Sequence, residues 1–153
     1  IVCIGEGLQK ESMIRQANEK RLENLLFLPF QPAERVADMH SAADVMLLTI
    51  DRRHESSSVP SKLISYMAAG RAVLCCASDN STLAETIRTA GCGKVIPGSD
   101  VHRIVDQLIE MAGDKAALTG MGANGRDFFS ENFDVKVAMS GFDRIFMRFA
   151  GSN

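Results

Sequence analysis

Short β-type runs alternate with helical stretches along the whole of this chain, and that alternation restricts its fold more than any other feature. The clearest run is Val45-Met46-Leu47-Leu48-Thr49-Ile50. Its continuous apolar character predicts a strand covered on both faces, as in a parallel sheet with helices above and below. Before it, Val2-Cys3-Ile4 ends in Gly5-Glu6-Gly7 and leads to a polar-faced helix over 8–22. Residues 25–28 read as a second strand closed by Pro29, with a helix near 33–43. After it come a polar loop over 51–59, a helix over 60–69 stopped by Gly70, a strand over 72–76, a short helix over 82–89 and a strand over 94–96. Ser99 or Asp100 then caps a helix with Ile104, Val105, Leu108 and Ile109 on one side. Residues 113–132 have helical character, but Gly120, Gly122 and Gly125 predict breaks in it. Asp134 caps a terminal helix whose Val137, Ala138, Ile145, Phe146 and Phe149 need an apolar partner. The order predicts an α/β fold, a Rossmann-like doubly wound parallel sheet.

A length of 153 residues suits one domain with a core of its own. The 17 Lys and Arg against 19 Asp and Glu give a net charge of −2, which excludes the basic excess of a nucleic-acid-tracking protein and an acidic solvating tail. No apolar run approaches the ~18 residues of a membrane span and no signal-peptide pattern opens the sequence, so a cytoplasmic setting is expected. Cys3, Cys75, Cys76 and Cys92 show no CxxC spacing and no partner histidines. They read as small apolar residues in a reducing compartment, with no metal site. Met46, Met67 and Met139, among eight methionines, read as core residues.

In doubly wound sheets ligands sit beyond the carboxyl ends of the strands. The loops of interest are therefore 5–7, 29–32, 51–62, 77–81 and 97–100. Gly5-Glu6-Gly7 has the setting of a phosphate turn, although Lys10 stands where GxGxxG has its third glycine, and there is no P-loop motif. The stretch from Asp51 to Lys62 is more informative. It brings Ser56, Ser57, Ser58, Ser61, Arg52, Arg53 and Lys62 to a helix start, where free N–H groups and the positive end of the helix dipole favour a phosphate. The plainer alternative is that Ser58 or Ser61 only caps the helix. His54 and Glu55 read as solvated loop residues, and His40 and His102 as structural or surface residues. No Ser/His/Asp or Cys/His set is singled out by spacing.

Four passages together resemble the C-terminal, nucleotide-sugar-binding domain of GT-B glycosyltransferases of the retaining family 4 (group 1). They are Val2-Cys3-Ile4-Gly5-Glu6-Gly7; Leu26-Phe27-Leu28-Pro29-Phe30 with His40-Ser41-Ala42-Ala43-Asp44-Val45; the stretch Pro60-Ser61-Lys62-Leu63-Ile64-Ser65-Tyr66-Met67-Ala68-Ala69-Gly70-Arg71-Ala72-Val73; and Gly91-Cys92-Gly93-Lys94-Val95-Ile96-Pro97-Gly98-Ser99-Asp100. The third is similar to the Pro-Ser-Lys variant found in enzymes of cell-surface polysaccharide assembly. The resemblance implies transfer of a sugar from a UDP- or GDP-sugar to a glycan or lipid-linked acceptor, with retained configuration and without a metal or further cofactor. Set beside the loop reading, it implies that Ser58, Ser61, Lys62, Gly5 and Gly7 hold the donor diphosphate and that the backbone of Phe30 lies beside the base. Where the family commonly has two glutamates for the sugar and the ribose, this chain has Ser65 and Ser57. A serine cannot accept bidentately from a diol as a carboxylate can. No catalytic residue is assigned.

The resemblance further implies that residues 1–153 are a single donor-binding domain, a piece of a two-domain enzyme whose acceptor domain and first strand are not in this sequence. The strands flanking that missing strand are expected to close up, or another chain to fill the place. Peripheral association with the inner membrane face, and self-association through the exposed sheet or terminal helix, are implied in the same way. Nucleic acid is not an expected partner. Two other readings remain: half of a nucleotide-sugar 2-epimerase, and a degenerate, non-catalytic Rossmann-like interaction module.

Overall fold

A computed structural model describes residues 1–51, 59–98 and 100–150 of the chain. They fall into two compact units, residues 1–39 and residues from 40 onward. In the first, β1 (Val2–Ile4) and β2 (Leu26–Leu28) pair in parallel, Val2 opposite Leu26 and Ile4 opposite Leu28. They are joined through α1 (Lys10–Glu19). This helix is shorter than the sequence suggested, because Arg21 takes a left-handed conformation with φ 52° and the Leu22 amide closes onto Ala17 O. In place of one helix over 33–43, a 3-10 turn over Ala33–Arg35 runs into α2 (Val36–Ser41).

The second unit holds a parallel sheet in the order β3 (Val45–Thr49), β4 (Ala72–Cys76), β5 (Gly93–Ile96). Its helices are α3 (Ser61–Ala68), α4 (Thr82–Ala90), α5 (Val101–Gly113), α6 (Lys115–Asn132) and α7 (Val135–Ala150). β4 explains the double winding. Its Val73 and Cys75 join a core with Leu63 and Met67 of α3 and Leu83 and Ile87 of α4. Its Ala72 and Leu74 join a second core with Met111 of α5 and Leu118 of α6. Alternate side chains of one strand thus feed the two faces, as the pleat requires.

β3 departs from expectation. Leu48 is buried, but Leu47 is 42% exposed, since the second core reaches Val45 and stops there. Among the described residues β1 is paired with β2, and β3 with β4, in separate sheets.

The breaks expected in α6 are absent, and the helix runs for 18 residues. Its glycines serve close packing instead. A Cβ on Gly122 would lie 2.2 Å from Gly70 O, and one on Gly125 would lie 2.9 Å from Cys92 Cβ. The dispersion attraction of this close approach, at the end of α3 and the start of β5, outweighs the poor helix propensity of glycine, about 1 kcal/mol per residue.

Asp100 caps α5, accepting from the amides of His102 and Arg103; Ser99 lies outside the described residues. Asp134 caps α7, its Oδ1 2.9 Å from the Lys136 amide. Along α7, Val135, Met139, Phe142, Ile145 and Phe146 are exposed, so Met139 is a surface residue and not a core one. Cys75 and Cys92 are buried and in no disulfide, and burial pushes the Cys92 thiol up to about 11.

Candidate functional site

The described residues singled out for a ligand follow the carboxyl ends of strands, one group in each unit. In the first unit the chain leaves β1 through Gly5, whose φ of +124° lies where side chains are rarely tolerated. The Gly5 amide donates to Leu28 O at 3.1 Å, extending the β1–β2 ladder by one bond. The Phe30 ring lies beside this glycine, with Cε1 3.5 Å from where a Cβ would stand, and Phe30 is 73% exposed. Gly7 has open space around it; its carbonyl accepts the Lys10 amide at 3.1 Å. The Lys10 ammonium turns back over the turn, 3.0 Å from Gly5 O, 2.7 Å from Glu6 Oε1 and 3.4 Å from Leu28 O.

In the second unit the site residues ride on α3. Leu63 and Met67 face the core, and Ser61, Lys62 and Ser65 are exposed on the other side of the helix. Pro60 is the N-cap residue, with extended backbone and no side-chain capping bond, and its carbonyl accepts the amides of Leu63 and Ile64 at 3.0 and 3.4 Å. Ser61 is therefore not the cap, and its hydroxyl is not spent on the helix start. The first turn carries no acidic residue. A helix start to which the described residues bring no acidic or capping side chain, with a lysine in its first turn, suits an anion. The Ser65 hydroxyl donates back to Ser61 O at 3.1 Å, which commits its proton and leaves its lone pairs to accept. Ser57 and Ser58, with His54 and Glu55, lie outside the described residues.

The loop after β4 is tied down by bonds that sequence spacing did not reveal. Arg88 pairs with the Asp79 carboxylate and also donates to Asp79 O at 2.7 Å. Ser81, buried, donates to Ser78 O at 2.7 Å and accepts the Ala84 amide at 3.1 Å as the N-cap of α4. The signal for that cap was present in sequence, a serine immediately before an apolar-periodic run. His40 packs edge-on against Tyr66, ring centroids 5.3 Å apart, and burial holds its imidazole below the usual range. His102 is exposed. Among the described residues no group of three or more metal-ligating side chains comes together. A cavity of about 220 Å³ lined by Asp44, Arg71, Lys115 and Thr119 lies at the amino ends of β3 and β4, away from these loops.

The family model for glycosyl transferases group 1 matches residues 1–128. The chain belongs to that family. Among curated relatives of this group 1 glycosyl transferase chain is a D-inositol 3-phosphate glycosyltransferase of Nocardia farcinica, 32% identical over 77% of this chain and 25% of the relative. Another is a GDP-mannose-dependent phosphatidylinositol monomannoside mannosyltransferase of Mycolicibacterium smegmatis, 26% identical over 90% of this chain and 36% of the relative. The chain thus spans a quarter to about a third of those relatives' lengths. Among solved structures, sucrose-phosphate synthase from Thermosynechococcus elongatus superposes with a TM-score of 0.76 at 20% identity, over 99% of this chain and 39% of that one. Anabaena HepE, in complex with UDP-glucose, gives 0.74 at 16% identity, over 95% and 40%. These likenesses establish the α/β fold with parallel sheets seen in GT-B glycosyltransferases.

Proposed function

We propose that this chain is the donor-binding part of a retaining glycosyltransferase that takes its sugar from a UDP- or GDP-sugar. The observation that carries the reading is the start of α3, where Ser61 and Lys62 stand exposed beside a helix end that no side chain among the described residues caps. As the bond between sugar and diphosphate breaks, negative charge grows on the leaving group. A fixed helix end and a lysine ammonium answer that charge, and they stabilise the transition state more than the ground state. On this reading the positive charge comes from protein groups, with no metal or further cofactor. The family resemblance also assigns Gly5, Gly7 and the backbone of Phe30 to donor binding, and Ser57 and Ser58 to its ribose and diphosphate contacts. The complex of HepE with UDP-glucose and the GDP-mannose dependence of the mycobacterial relative support both nucleotides as candidates. The acceptor, a glycan or lipid-linked sugar at the cytoplasmic membrane face, would be held by a separate domain.

The test is a calorimetric titration of UDP, GDP and ADP into the chain and into Lys62→Ala. One nucleotide should bind selectively. The substitution should weaken it at least tenfold, in line with the ~1.5–3 kcal/mol of a hydrogen bond to a charged group. Binding indifferent to Lys62 would instead favour the non-catalytic module.

A further inference from the structure

Lys10 occupies the place where a dinucleotide-binding turn carries its third glycine, and its side chain does what a glycine cannot. Its three N–H protons meet three acceptors, Gly5 O, Glu6 Oε1 and Leu28 O, and only 20% of the side chain is exposed. Two of those acceptors are main-chain carbonyls from different strands, one just past the end of β1 and one at the last residue of β2. The Leu28 carbonyl also receives the Gly5 amide, so Gly5 and Leu28 are joined twice, once directly and once through the ammonium. Phe30 follows Leu28 by two residues, and its ring rests against Gly5.

We propose that Lys10 is a positioning residue for the base end of the donor site: it ties the turn after β1 to the end of β2 and so fixes Phe30 beside Gly5. What it positions rests on the donor-site reading above; the tie itself rests on geometry within residues 5–30. A hydrocarbon at this position leaves the carbonyls of Gly5 and Leu28 without their shared donor and frees the segment around Phe30. An arginine keeps several donors on a fixed charge and should preserve the tie.

The experiment is carried out on the whole chain in two arms. The first follows the Gly5 α-proton chemical shifts by NMR without ligand, with Phe30→Leu marking the contribution of the ring. Lys10→Met should move these shifts toward the Phe30→Leu values while the amide signals of α1 show the helix intact, and Lys10→Arg should stay with the wild type. The second arm titrates whichever of UDP or GDP the wild type binds, and inorganic pyrophosphate. Lys10→Met should lose at least fivefold in nucleotide affinity and less than twofold in pyrophosphate affinity, with Lys10→Arg restoring the nucleotide. Unmoved Gly5 shifts in Lys10→Met overturn the tie. Moved shifts with unchanged nucleotide affinity, or an equal loss for pyrophosphate, overturn the positioning role. A wild-type chain that binds no nucleotide, whatever the shifts do, fails the donor reading and takes the positioning role with it.

Discussion

Single residues decide how closely the elements of the second unit approach. Gly120 and Gly122 sit two positions apart on α6 with opposite surroundings: a Cβ on Gly120 meets nothing within 4 Å, and one on Gly122 lies 2.2 Å from Gly70 O. Gly120→Ala should therefore stabilise the chain by up to about 1 kcal/mol through helix propensity. Gly122→Ala should destabilise it by about 1–3 kcal/mol through overpacking. Midpoints of urea unfolding for the two variants would check both signs. At this scale the sequence disclosed identity but not engagement. Ser61 and Lys62 were readable as candidates from their place after Pro60. That Pro60 rather than Ser61 ends the helix, and that the Ser65 hydroxyl is already donated to Ser61 O, depends on backbone geometry that spacing does not encode. Lys10 was visible only as a missing glycine, because its contact with Leu28 O crosses 18 positions of chain.

Elements were more legible in kind than in extent. All five strands and most helices stand where the hydrophobic period placed them, since apolar period reports which face meets a core. Their ends depended on conformations that period does not carry, such as the left-handed Arg21 after α1. The glycines of α6 misled for a related reason: propensity is a local cost, and tertiary contact repaid it. One contact between elements has a pH consequence. His40 at the end of α2 packs on Tyr66 of α3, and burial lowers its pKa from 6.5. As pH falls below that ordinary value, the unfolded chain binds a proton that the folded chain resists, so stability should decline. The contribution is complete above the ordinary value and is lost downward until the depressed folded value is passed. Unfolding midpoints measured from pH 7.5 to 5 should fall for the wild type. They should fall less for His40→Phe, which keeps a ring against Tyr66 and cannot take the proton.

Across the molecule, stability should be unevenly distributed. β4 has a strand on either side and a core on either face, with Val73, Leu74 and Cys75 fully buried. β1 and β2 form a two-stranded sheet in which Val2, Ile4 and Leu26 remain exposed. Two-stranded sheets with little cover are marginal. Native-state hydrogen exchange should find the amides of 73–75 protected close to the limit set by global unfolding, and those of 3–4 and 27–28 opening at lower free energy. Uniform protection across both sheets would contradict this. The α/β class could be read because strand–helix alternation is a property of the whole sequence. The division into two compact units could not, because it depends on which strands find partners.

β4 also raises a question of alignment. Most half-buried strands are held in register by the contrast between an oily side and a wet one, and a slip of one residue is punished by exposing the wrong side. Ala72-Val73-Leu74-Cys75 is apolar on both sides, so that contrast is missing and a slip would trade one greasy surface for another. The index mark lies on the neighbouring strand instead. Gly93 is paired with Val73, and a Cβ there would stand 1.9 Å from Val73 O, so only a residue without a side chain can occupy that place. The alignment of β4 with β5 is thus keyed by a notch and not by polarity, and the key brings Cys76 level with Ile96, from which the loops over 77–81 and 97–100 depart.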